Sequence, residues 1–281
     1  MSYIIIGVHG LSNKPPKEQH AADWVAAIKE GLERNCRLGP LDIGYEPVHW
    51  ASINYPNPLD PDLEPYIPTP KDQPIEKYRD GWMSKMRAFV SDVPGDIIQR
   101  GNEWFGHGPI ADAVLRKKLA DLSLYWKSKP NRDTLRKHVK EAVERHQSKR
   151  ITLIAHSMGS IIAYDALREI GQGDTNLRVD NFITIGSPLG LPTVAANIST
   201  EWKLLRTPSI VKRWMNLADP RDPVAFDTHL KHDYDANDQG VRVEDDLILN
   251  GYVGPDGKPN HHKIYGYLRC PEMSELLRGI L

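Results

Sequence analysis

Apolar residues fall into short unbroken runs separated by longer amphipathic stretches. Tyr3-Ile4-Ile5-Ile6-Gly7-Val8 is β-branched and almost wholly apolar. That is the pattern of a parallel strand covered on both faces, not of a half-exposed strand with alternating polarity, and the run is too short to cross a bilayer. From Gln19 to Arg34, Ala21, Ala22, Trp24, Val25, Ile28 and Leu32 recur at mostly helical spacing, which predicts a helix lying on one face of a sheet. Leu41 to Trp50 reads as a second strand, with Pro47 placing it at an edge or a bulge. Asn131 to Gln147 is a polar helix whose inner stripe is Leu135, Val139, Ala142 and Val143.

That helix leads into Ile151-Thr152-Leu153-Ile154-Ala155, an apolar strand that turns within one serine into the helical run from Met158 to Tyr164. Further strands are read at Phe182-Ile183-Thr184-Ile185 and Val211 to Leu217. Val241 to Leu249 has strand-like ends around an acidic middle. Strands alternating with helices predict an α/β domain with a mostly parallel central sheet flanked by helices.

The middle of the chain breaks this rhythm. Between Tyr55 and Pro74 stand Pro56, Pro58, Pro61, Pro65, Pro68, Pro70 and Pro74, a density that resists helix and sheet and favours extended chain following a surface. Ile75 to Lys129 then reads as two or three helices carrying Trp82, Met83, Met86, Phe89, Val90, Trp104, Phe105, Leu115, Leu119, Leu122 and Trp126. With 281 residues, a single α/β domain over 1–281, holding a cap-like insertion at 52–129, is expected in place of two independent domains. The aromatic and methionine side chains of that insertion suit an adaptable apolar wall over a site, or simple packing of the insertion onto the main domain.

Composition narrows the functional classes. A 40% hydrophobic content and a net charge of -1, from 36 basic and 37 acidic residues, describe a globular chain with no electrostatic footprint for nucleic acid. A basic excess runs from Arg116-Lys117-Lys118 through Lys127, Lys129, Arg136, Lys137 and Lys140. Interspersed acids make this a solvated helix face, with an anionic membrane surface as the weaker reading. Cys36 and Cys270 are too few and too distant for a disulfide framework. The first strand begins almost at Met1, with no signal peptide ahead of it, so the cytoplasm is the expected location, signal-independent export being the other route.

The strand-serine-helix junction carries the candidate chemistry. A serine hydroxyl is a poor nucleophile at neutral pH and must be held exposed on a tight turn, beside a base and opposite amide donors. Ala155-His156-Ser157-Met158-Gly159 suits such a turn, with Ala155 where G-x-S-x-G has its first glycine. A plain helix N-cap is the competing role for Ser157. A nucleophile elbow predicts an acid and then a histidine on later loops. Ala218-Asp219-Pro220-Arg221-Asp222-Pro223-Val224 offers two aspartates, each kept extended by the following proline. Asp222 is favoured because an apolar segment follows it, and Asp219 is the alternative. Past the loop Asn250–Asn260 stand His261 and His262. His229 and His232 lack a third ligand in register, so no metal is expected.

On Val8-His9-Gly10, Ala155-His156-Ser157-Met158-Gly159, Gly186-Ser187-Pro188-Leu189, Asp222-Pro223-Val224 and the histidine ahead of Tyr265, the chain resembles an α/β-hydrolase of the lipase and esterase kind, and more narrowly bacterial lipase-like hydrolases with a short N-terminal half. The resemblance covers the two ends of the chain and leaves about Ser52 to Lys129 uncovered. It implies that His262 is the base, His261 being the alternative, and that Asp222 orients it. It also implies that the amides of Leu11 and Met158 form the oxyanion hole, with the Gly10 amide as an alternative donor, and that His9 braces its loop and His156 points away. The implied activity is cleavage of a carboxylic ester with an apolar acyl part, on a small-molecule or lipid substrate, with no cofactor. An acyltransferase or thioesterase would use the same residues, and a non-catalytic binding protein of this fold is a further class.

Overall fold

The computed structural model describes residues 2–79, 122–173, 176–225 and 227–281. Six strands, β1 (Tyr3–Val8), β2 (Tyr45–Val48), β3 (Arg150–His156), β4 (Asn181–Ile185), β5 (Trp214–Ala218) and β6 (Val243–Leu247), form one sheet in the order β2-β1-β3-β4-β5-β6. Every pairing is parallel. Their C-terminal ends lie together, with Val8 beside Ala155, His156 beside Ile185, and Ala218 beside Leu247.

The chain moves outward from β1 to β2 and then returns to the other side of β1 with β3. The strand order therefore reverses between β1 and β3, and in open α/β sheets the crevice at such a reversal, outside the carboxyl ends, is where ligands bind.

Alternate side chains of the central strands feed two separate cores. On one face Ile5, Ile154, Ile183, Met215 and Leu217 pack with Trp24 and Ile28 of α1 (Lys17–Cys36) and with Leu268 and Met273 near the chain end. On the other, Ile4, Ile6, Leu153 and Phe182 meet Leu135, Val139 and Val143 of α2 (Lys129–Arg145) and Ile161 and Ile162 of α3 (Met158–Gln172). The unbroken apolar runs of β1 and β3 follow from this, because both faces are covered. The edges are marked differently: β2 carries Pro47, and β6 places exposed Glu244 between Val243 and the partner-rich Asp245. A proline and a charge both discourage further strands from adding.

Element ends shift by a few residues from the sequence pattern. The second strand covers Tyr45–Val48 within the expected Leu41–Trp50, and the fifth begins at Trp214, Val211 making only a single bridge to Val179. The predicted helix at Asn131 starts two residues earlier, at Lys129, where the Ser128 hydroxyl accepts the Asn131 amide and Pro130 occupies the first turn. Among the described residues, the helices α4 (Pro192–Trp202), α5 (Ile264–Arg269) and α6 (Pro271–Arg278), and the single turn Ala51–Asn54, escaped the hydrophobic pattern.

The proline-rich segment follows the surface as expected, with only one 3-10 turn at Pro61–Leu63. It crosses α1 and the tail helices, where Arg34 bonds the Thr69 carbonyl at 2.8 Å, Arg269 bonds Ile67 at 2.7 Å, and the Tyr252 hydroxyl bonds Pro65 at 2.9 Å. Of the insertion's aromatic set, Trp82, Met83, Met86, Phe89, Val90, Trp104, Phe105, Leu115 and Leu119 lie outside the described residues, while Leu122 and Trp126 pack against the core. Tyr125 is fully buried and donates to Asp165 of α3 at 2.5 Å.

Candidate active site

Ser157 sits between β3 and α3 with φ 54° and ψ −131°. A non-glycine residue held there stores about 1–3 kcal/mol of backbone strain. The turn is kept by close packing. A Cβ on Gly159 would lie 2.5 Å from the Val8 carbonyl oxygen, so only glycine lets α3 approach the end of β1 this closely. Ala155 is a regular strand residue, buried and paired with Val8 and Thr184. The Ser157 side chain makes no cap bond to the helix; its hydroxyl faces a histidine instead.

That histidine is His262. Its Nε2 is 3.0 Å from the Ser157 Oγ, and its Nδ1 is 2.8 Å from the Asp222 Oδ2. Asp222 follows β5, and its second oxygen, Oδ1, accepts the Val224 amide at 2.9 Å. Its Oδ2 also accepts the Tyr267 hydroxyl at 2.7 Å. Burial would raise the Asp222 carboxyl, but His262, Tyr267 and the Val224 amide outweigh it and hold it below the ordinary carboxylate range. The three residues come from loops after β3, β5 and β6, which is why no local motif contains them.

The alternatives are occupied elsewhere. Asp219 is fully buried, accepts from the Arg221 guanidinium at 2.6 and 2.9 Å, and accepts the Asn250 amide at 2.6 Å. His261 lies 3.2 Å from the Asn250 carbonyl through its Nδ1. Asn250 thereby pins the loop from two sides, since its side-chain amide also donates to the carbonyls of His261 and Lys263 at 2.9 and 2.8 Å.

On the opposite side, a Cβ on Gly10 would fall 2.7 Å from the Cβ of Ser157, so the loop after β1 passes directly over the Ser157 turn. Leu11 is the next residue along that loop, and Met158 opens α3, whose first amides have no intrahelical partner. The loop is braced by His9. The Ala51 amide donates to its Nε2 at 3.1 Å, which leaves Nδ1–H to donate to the Gly10 carbonyl at 2.8 Å. Burial first, then the charge of Lys14, keep this ring neutral by lowering its pKa well below the ordinary value. The Lys14 ammonium bonds the carbonyls of Leu11, Ser12 and Asn13.

Three residues, His156, Gly186 and Tyr267, take parts that the sequence analysis did not assign to them. His156 does not turn away: its Nε2 is 2.9 Å from the His262 carbonyl, and the two rings lie 4.7 Å apart, so it props the loop of the candidate base. Gly186 has φ +52°, and a Cβ there would lie 2.9 Å from the Asp222 Oδ2 and 3.3 Å from the His262 Nδ1. It was visible as part of Gly186-Ser187-Pro188-Leu189, whereas Tyr267 gave no signal beyond an aromatic in an apolar run.

Above Ser157 opens a cleft of about 620 Å³, with Leu11, Trp24, Leu63, Pro223, Tyr252 and Ile264 among its apolar walls. Charged walls are also present: Lys263 pairs with Glu64 at 2.7 Å, and Lys14 and Arg221 line it as well. Among the described residues no group of His, Cys, Asp or Glu is arranged to hold a metal ion, His229 and His232 included, and no helix is long and apolar enough to cross a membrane.

Residues 121–195, which include the strand, the elbow and α3, match the family described as "Alpha/beta hydrolase of unknown function (DUF900)". No curated protein matches the chain. A solved structure described as "Crystal structure of an uncharacterized protein from Pseudomonas aeruginosa" is similar at 12% identity and a TM-score of 0.24, over 78% of this chain. The chain spans 35% of the length of that structure. Taken with the all-parallel sheet flanked by helices, the match over residues 121–195 supports an assignment to the α/β-hydrolase superfamily.

Proposed function

We propose that the protein is a serine hydrolase that cleaves a carboxylic ester through an acyl-enzyme. The observation that carries this reading is the continuous series Ser157 Oγ, His262 Nε2, His262 Nδ1, Asp222 Oδ2, with links of 3.0 and 2.8 Å, built on a strained turn beneath the loop after β1.

The chemistry follows from the order of the groups. Ser157 attacks the ester carbonyl as His262 takes its proton, and Asp222 holds the imidazole in the tautomer that presents Nε2 as acceptor and stabilises its positive charge. The amides of Leu11 and Met158 receive the oxyanion, an interaction worth about 2.7–4 kcal/mol per donor in the transition state. Collapse expels the alcohol, which takes the proton from His262. Water then attacks the acyl-enzyme with the same base. The apolar walls of the cleft favour a substrate with an apolar acyl part.

A fluorophosphonate probe tests the reading. The native protein labels and Ser157→Ala does not. His262→Ala and Asp222→Asn abolish most turnover of p-nitrophenyl esters, by about 10⁴-fold for the aspartate, whereas His261→Ala and Asp219→Asn retain it. Labelling of Ser157→Ala equal to that of the native protein, or retention of turnover in His262→Ala, overturns it.

A further inference from the structure

In the loop after β4, Gly186 lies against the Asp222 and His262 side chains, whereas its neighbour Ser187 reaches Ser160 in the first turn of α3. Both serines are buried. Their hydroxyl oxygens are 2.7 Å apart, and the Ser160 Oγ is 2.6 Å from the Ser157 carbonyl oxygen. A carbonyl can only accept and a hydroxyl has one proton, so Ser160 donates to Ser157 and the proton between the two serines belongs to Ser187. The Ser187 oxygen in turn accepts the Leu189 amide at 3.2 Å. The series therefore has a fixed direction, from the Leu189 N–H through Ser187 and Ser160 to the carbonyl of the candidate nucleophile.

That carbonyl is one half of the Ser157–Met158 peptide group. Among the described residues no peptide bond is cis, and in a planar trans peptide the C=O and N–H point in opposite directions. The Ser157 oxygen is held toward the body of α3, where the Ser160 amide also donates to it at 2.9 Å. The Met158 N–H consequently points away from the helix at its N-terminal end. Ser157 keeps φ 54° and ψ −131°, a conformation that persists only where its surroundings over-determine it. Two donors on its carbonyl help to do so. Hydrogen bonds in a series also polarise one another, so donors on the carbonyl strengthen the N–H across the same peptide.

We propose that Ser160 and Ser187 are positioning residues for the oxyanion hole: acting through the Ser157 carbonyl, they orient and strengthen the Met158 amide that receives the oxyanion. This deepens the hydrolase reading and rests on it. Neither hydroxyl touches the substrate.

The experiment combines kinetics on a p-nitrophenyl ester with binding of an alkyl trifluoromethyl ketone, whose adduct with Ser157 places an oxyanion in the same hole. Ser160→Ala lowers kcat about 3- to 10-fold, the usual effect of one lost hydrogen bond, and weakens ketone binding by the same factor with KM unchanged. Ser187→Ala lowers kcat by about 2-fold, and adding it to Ser160→Ala lowers kcat no further, because it acts through Ser160. Should Ser160→Ala not fold, Ser187→Ala carries the same comparison of kcat, KM and ketone affinity. A loss carried by KM, or losses that multiply in the double variant, reduces both hydroxyls to packing and overturns the proposal. A second arm needs no catalysis. Isotope labelling of the serine carbonyl carbon and the methionine nitrogen selects the Ser157–Met158 peptide, the one Ser-Met step in the sequence. Its amide NMR signal moves in Ser160→Ala and, by less, in Ser187→Ala; a signal unmoved in both overturns the proposal. A native protein that neither turns over an ester nor binds the ketone overturns the hydrolase reading and this proposal together. A native protein that does both, with kcat and ketone affinity unchanged in Ser160→Ala, overturns this proposal alone.

Discussion

The Tyr267 hydroxyl donates to the same oxygen of Asp222 that receives His262, at 2.7 Å against 2.8 Å. Tyr267 also accepts the Asp219 backbone amide at 3.1 Å, so its hydrogen points to the carboxylate. Burial first and the neighbouring Asp222 next raise its own pKa well above the ordinary phenol value, keeping it a donor throughout the working range. Tyr267→Phe leaves the carboxylate with fewer donors and therefore more basic. Under the proposed mechanism that carboxylate orients His262, and losing one of its donors lowers kcat/KM about 10-fold. A kcat/KM equal to the native value would mean that the ring only packs.

Gly186→Ala places a methyl against the acid-base pair in a backbone conformation that alanine disfavours. A displacement near 1 Å at reacting groups costs on the order of 100-fold in rate. The variant is expected to lose turnover by about that factor while keeping a native circular dichroism spectrum. Its labelling by fluorophosphonate slows in parallel, because in the proposed mechanism the same base activates Ser157 there.

Away from the site, Arg136 is 1% exposed and bonds the fully buried Asp165 at 2.6 Å, with Glu169 at 3.0 Å and Glu201 at 2.5 Å around it. The Trp202 indole closes the cluster, donating to Asp165 at 2.6 Å. Arg136→Met strands the Asp165 charge in the interior and is expected to cost about 3–5 kcal/mol. Adding Asp165→Asn returns part of that, since a neutral amide needs no counter-charge. Denaturant unfolding of the two variants measures both effects.

His9 and His20 are buried and neutral in the fold, burial and the nearby Lys14 having lowered both pKa values. The unfolded chain binds protons at these positions once the pH falls below the ordinary imidazole range, and the folded chain does not until lower pH. Their contribution to stability is therefore complete above that range and declines as the pH falls through it, at about 1.4 kcal/mol per pH unit for each ring. Chemical denaturation at a series of pH values shows this slope, and His9→Asn reduces it by one proton.

The sequence made the sheet legible where burial on both faces left unbroken apolar runs, as in β1 and β3. It made the turn of the candidate nucleophile legible because strand, serine and glycine are compressed into five residues. Asp222 and His262 were each one of two neighbours, and what separates them from Asp219 and His261 is tertiary: the Arg221 guanidinium and the Asn250 amide engage the first, and the Asn250 carbonyl the second. The helix α5 stayed hidden since it is six residues long and contains Gly266, a poor helix former that is needed there because Asn250 packs against it. Tyr267 was hidden with it.

The docking of α1 against the tail helices has a consequence for when the proposed triad assembles. Asn35 of α1 donates to the Arg269 carbonyl across 234 positions of sequence, and the proline-rich strap crosses both partners. The turn bearing Ser157 is built from neighbours, but the loop bearing His262 is held by the tail that this long-range closure seats. If the proposed triad operates, fast local folding yields an inert serine, and the slow closure of high contact order is the step that arms it. Recovery of probe reactivity during refolding should accordingly lag the return of helical signal, and the interval between them times the closure.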